Sequence, residues 1–195
     1  MHDQGDNYLT ANQMHPNHWR NRAADLHASA GAVWYAMTLG SEDVRKSIGK
    51  WEGFDMGVAC RPVYFMLCGL SLELALKAVI TLKEPDTKLK GHNLVTLAHK
   101  AGIELNTEDR LKLDFLTSSV IWAGRYPVPN NPNDEKLRSY FDLAYQVLTE
   151  PADYVKEIKL RHSSDALDWP DFDRIWQSVM AGFYALEDGA ASTKS

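Results

Sequence analysis

Only two cysteines, Cys60 and Cys68, occur in the 195 residues. So few thiols exclude a disulfide framework. On one helix, eight residues apart, they would sit ~12 Å from each other, beyond bridging reach. Sparse thiols suit a reducing compartment, and a cytoplasmic protein is expected. Excess positive charge is also missing. The 21 Lys and Arg against 26 Asp and Glu give a formal net charge of −5. A protein that coats nucleic acid without specificity is normally basic, so that class is set aside, while a local basic site stays open. There is no Gly-rich phosphate loop, no cysteine cluster, no internal repeat and no alternating pattern long enough to demand a sheet. The first twenty residues hold no apolar stretch, so no secretory leader is expected. No membrane span is expected either. Residues 63–82 are the one apolar run of sufficient length, and Glu73 and Lys77 sit near its middle. Each would cost ~2.5–3.5 kcal/mol at a bilayer centre.

What the chain does contain is helical periodicity. Trp19, Ala23, Leu26, Ala30, Val33, Trp34 and Met37 recur at spacings of three and four. That stripe predicts a first helix over His18–Thr38, after a loose polar arm at 1–17. Residues 39–61 read as a long connection with a short helical turn, pinned by Trp51 and Phe54. Pro62 has no N–H to satisfy and suits the first turn of a second helix, Pro62–Lys83. This helix is apolar nearly all round and should be central, with Gly69 and Ser71 permitting close approach of a neighbour. A charged connection, Lys83–Lys90, leads to a short helix over Asn93–Lys100, stopped by Gly102. Thr107 is expected to cap a helix reaching Ala123. That helix is apolar on two faces, one with Leu111, Phe115 and Trp122 and the other with Leu113, Leu116 and Val120. Such a helix is sandwiched inside the domain or lies at a subunit interface. Arg125–Asn133 is a stiff Pro/Asn loop, Asp134–Leu148 an amphipathic helix, and 149–168 less regular. Pro170 opens the last helix, which carries Phe172, Ile175, Trp176, Val179, Phe183 and Leu186 on one face. The prediction is one all-α domain over 18–187, an antiparallel up-and-down bundle with a disordered tail at 188–195.

Several residues could carry chemistry. Glu73 and Lys77 are the only charges in the apolar helix, at the favourable Glu-to-Lys spacing of four. They form either an internal ion pair or the floor of a ligand site. His92 either ties its loop to the bundle or serves in recognition. Lys83, Lys88, Lys90 and Lys100 make this end locally basic, so a phosphate or nucleic acid could dock there. Trp122, Arg125 and Tyr126 flank Gly124 and suit base stacking, a partner pocket or plain anchoring of the loop. His15 and His18 form an HxxH pair without the further ligands a metal needs, and His92 and His99 are two turns apart. No metal and no cofactor are expected.

The stretches PVYFMLCGLSLELALKAVI, GHNLVTLAHKAGI and VIWAGRYPVP, within Arg61–Pro127, resemble the HEPN superfamily of helical bundles. The shared pattern is an apolar helix with Glu73 and Lys77, a charged loop, then His92, Leu94 and Leu97. The resemblance covers about a third of the chain and implies an antiparallel bundle, often a homodimer. Many HEPN domains are metal-independent RNases with Arg–x(4–6)–His on a late helix. Here the late arginines Arg125, Arg138, Arg161 and Arg174 have no histidine at that spacing. Only Arg20 and Arg22 with His27 fit, on the first helix, and about one such match is expected by chance. Members without the motif act as binding or partner modules, often beside a nucleotidyltransferase. The expectation is a non-catalytic module that recognises a nucleotide, RNA or such a partner. The alternatives are an RNase with a divergent site drawn from Arg20, Arg22, His27 and Arg125, and a stress or defence accessory protein without a small ligand.

Overall fold

A computed structural model describes residues 15–85, 87, 89–130, 133–152 and 160–192. The protein is all-α apart from one small hairpin. The helices are α1 (Pro16–Met37), α2 (Ser41–Ser47), α3 (Met56–Lys83), α4 (Leu94–Ala101), α5 (Thr107–Ser118), α6 (Asp134–Leu148) and α7 (Trp169–Ser192). A single π-helical turn, Ser119–Ala123, extends α5. Strands β1 (Thr149–Pro151) and β2 (Arg161–Ser163) pair antiparallel, with Glu150 opposite His162.

α3 is the axis of the molecule, and α1, α4, α5, the π turn and α7 all pack on it. By length and composition it could cross a bilayer, but 72% of its most apolar window is buried inside the protein. α1 runs antiparallel to α3, since Trp34 meets Tyr64 at one end and Lys77 lies over Trp19 at the other. α7 closes the other side with Phe172, Ile175, Trp176, Val179 and Phe183 buried, the face expected from spacing. Gly69 permits the close approach its size suggested: a Cβ there would lie 2.5 Å from Val120 Cγ2. Cys60 and Cys68 share α3 and are free thiols.

Several boundaries differ from expectation for local reasons. α3 begins at Met56, because Asp55 accepts the Val58 amide at 3.0 Å and caps the helix there. Pro62 therefore lies inside the helix on an exposed face, where water can solvate the carbonyl it leaves unpaired. Asn106, not Thr107, caps α5, accepting the Asp109 amide at 2.7 Å. Pro16 and His15 open α1 earlier than expected, and His15 Nδ1 accepts the Asn17 amide at 3.2 Å. Gly102 closes α4 in the left-handed region, φ 76°. Trp51 does not pin the 39–61 connection, being 67% exposed, with its ring edge-on to Phe54. Arg45 does so instead, with bonds of 2.8 Å to Glu42 and to the Lys50 carbonyl. α7 continues to Ser192, so residues 188–192 of the expected tail are helical. The arm at 1–14, Lys88 and the last three residues lie outside the described residues.

Candidate functional site

Glu73 and Lys77 lie one turn apart on the buried part of α3, with side chains 4% and 8% exposed. The chain leaves α3, loops through 84–93 and returns, placing His92 just before Asn93, the residue that caps α4. His92 Nδ1 then lies 3.0 Å from both carboxylate oxygens of Glu73. Lys77 Nζ donates to Glu73 Oε1 at 2.6 Å. Its ammonium also sits 5.8 Å from the centre of the Trp19 ring, a cation–π contact. Glu73, Lys77 and the sequence-distant His92 thus form one cluster. Glu73 is the shared acceptor, and two donors compensate its desolvated charge.

The cluster is asymmetric. Two members are sealed in, yet the His92 side chain is 60% exposed. A carboxylate at Nδ1 fixes the ring orientation and favours the proton on that nitrogen. Nε2 has no protein partner among the described residues, on a side chain open to solvent. Lys90 and Lys100 are exposed nearby in sequence, whereas Lys83 is engaged, donating to the Ala101 carbonyl at 3.0 Å.

Trp122, Arg125 and Tyr126 form a second group at the π turn. Arg125 Nη2 donates to the carbonyls of Val120 at 3.1 Å and Ile121 at 2.7 Å, so it closes the turn whose ladder has run out. Its guanidinium lies 5.3 Å from the centre of the Tyr126 ring. Trp122 meets Tyr140 edge-on at 4.9 Å. Beside it lies a cleft of about 570 Å³ lined by Ile121, Trp122, Asn130, Lys136, Ser139 and Tyr140. Among the described residues, no hydrogen bond, ion pair or ring contact joins this group to Glu73, Lys77 and His92.

The arginines of α1 do not converge on His27. Arg20 reaches Asn21 and, at 3.9 Å, Glu187, and Arg22 reaches Asp25 at 3.7 Å. His27 is 16% exposed, bonds Asp173 at 2.9 Å and stacks on Trp176 at 4.0 Å. Burial lowers its pKa, and the Asp173 carboxylate opposes that shift without cancelling it.

One ionic cluster escaped the sequence reading. Lys112, with a side chain 3% exposed, reaches Glu108 at 2.6 Å and Asp171 at 2.7 Å. Arg174 bridges Asp109 at 2.5 Å and Asp171 at 3.0 Å. Burial alone would lower the Lys112 pKa, but its bonds to Asp171 and Glu108 hold it above the ordinary value. Burial would likewise raise Asp171, and Lys112, the Leu167 amide and Arg174 hold it below the usual carboxylate range. The Glu108-to-Lys112 spacing matches that of Glu73 and Lys77 and was a usable signal. This cluster ties α5 to α7, and its charges are spent on one another. Among the described residues no group of three or more His, Cys, Asp or Glu side chains is placed to hold a metal ion.

No family model, curated protein or solved structure matches the chain. Its function is therefore argued from these side chains.

Proposed function

We propose that the chain is a non-catalytic binding module that recognises a phosphate-bearing ligand, a nucleotide or the backbone of RNA, through His92. The observation that carries this reading is the shared Glu73 carboxylate, which holds an exposed imidazole by both oxygens. A surface histidine without such a partner samples several rotamers, and ordering it on binding costs free energy. Here that ordering is already achieved. A doubly protonated His92 would donate from Nε2 to a phosphate oxygen, and Lys90 adds local positive charge in an acidic protein. The resemblance to HEPN bundles supports the same ligand class, and it makes a nucleotidyltransferase the partner class to test beside it.

His27 is bonded to Asp173 and stacked on Trp176, while Arg20 and Arg22 pair with other residues, which favours binding over RNA cleavage. The test is a titration of the protein with mononucleotides and with a labelled single-stranded RNA, followed by anisotropy. His92→Gln should weaken binding about tenfold, the loss of one charge-assisted hydrogen bond. No binding by the wild type, or binding abolished by Trp122→Ala but untouched by His92→Gln, would overturn the assignment.

A further inference from the structure

α6 buries only one side chain, Val147, of its 15 residues. Its substantial contacts are with α5 and β1. Phe141 and Tyr145 are 63% and 56% exposed, and with half-buried Leu137 they recur every four residues as one stripe. Tyr145 is held in place rather than loose. The Arg161 guanidinium lies 4.3 Å from the centre of its ring, and Arg161 is itself fixed by the Thr149 hydroxyl at 2.7 Å and carbonyl at 2.6 Å. Rigid aromatic rings presented to water on a regular helix are the composition of a contact surface.

The charges beside the stripe indicate what covers it. Arg138 and Asp142 are exposed, one turn apart, and neither has an ion-pair or hydrogen-bond partner among the described residues. Opposite charges flanking an apolar stripe are self-complementary under a two-fold rotation. Turning a second α6 antiparallel about a point near Tyr140 places Arg138 of each copy opposite Asp142 of the other, and brings the two Phe141 rings together. We propose that α6 is the contact between two copies of this chain, Phe141 against Phe141, bracketed by two Arg138–Asp142 pairs. This gives the expected homodimer a surface, and it does not rest on the ligand reading at His92.

Charge reversal tests the symmetry directly. Arg138→Asp places two like-charged pairs across the contact, and so does Asp142→Arg. Mixed together, the two variants restore both attractions. Sedimentation analysis of the wild type should show a dimer at micromolar concentrations. Each variant alone should dimerise about tenfold more weakly, or more so, and the mixture should recover a heterodimer. Phe141→Ser should also give a monomer, with its circular dichroism and melting unchanged because the ring is exposed. A monomeric wild type would overturn the proposal. So would a dimer indifferent to all three variants, which would place the contact elsewhere. Monomeric variants that fail to pair on mixing would overturn the two-fold arrangement.

Discussion

Lys77 and Glu73 illustrate how a buried charge depends on its partner. Removing the ammonium in Lys77→Met leaves Glu73 with His92 alone, in a site 4% exposed. Such a change should cost ~3–5 kcal/mol, whereas replacing both residues with apolar ones should cost much less. Urea denaturation of the single and double variants checks this, and equal losses would show that the pair is not energetically buried. His27 gives a pH dependence of known sign. Its folded pKa lies below the ordinary histidine value of 6.5, because burial disfavours the charged ring. Above about 6.5 both folded and unfolded chains carry a neutral His27, and its contribution to stability is complete. As pH falls through that value the unfolded chain takes up the proton first, so stability is lost. The melting temperature should therefore drop between pH 8 and 5 more steeply for the wild type than for His27→Phe. The sequence showed Glu73, Lys77 and His92 separately, because charge in an apolar helix and a histidine before a cap are local signals. Their meeting on one carboxylate was not legible, since it depends on how the loop returns. Trp51 misled for a related reason: aromaticity suggests burial, but nothing local says whether a surface exists for it to cover.

Among the elements, periodicity located the long helices and the caps decided their ends. Two adjacent residues able to cap, Asn106 and Thr107, cannot be ranked without the backbone. At α3, the preference of proline for first turns pointed to Pro62, while the Asp55 carboxylate actually starts the helix. Three-residue strands leave no readable alternation, so the hairpin was hidden. The π turn was hidden as well. It ends α5 rather than interrupting it, so the side-chain pattern of the helix before it carries no trace of the wider turn. Deleting Ile121, which is 49% exposed, should convert Ser119–Ala123 to ordinary α-helix and leave a folded protein. Deleting Leu116 instead should rotate everything beyond it by about 100° and abolish the cooperative melt. Thermal melts of the two deletion variants compare them, and equal damage would deny the π turn its role.

For the whole molecule, the arrangement of α1 bears on activity. HEPN-type cleavage needs an arginine and a histidine together in an accessible groove. Here both spacing matches are split, with His27 against Trp176 and Arg20 and Arg22 paired elsewhere. Purified protein incubated with mixed RNA and a chelator should show no cleavage. Cleavage that disappears in His27→Ala would restore the catalytic reading. α3, wrapped by its neighbours, and α6, which leans on α5 and β1, also differ in how they exchange amide hydrogens with solvent. From Ser71 to Thr81 every side chain of α3 is buried or half-buried. Its amides should exchange only when the entire chain unfolds, and so report the global free energy. α6 buries Val147 alone, and in the monomer its amides should exchange orders of magnitude sooner. Deuterium uptake would then divide the molecule into a slow core and a fast outer flap, a boundary that a single melting curve does not reveal.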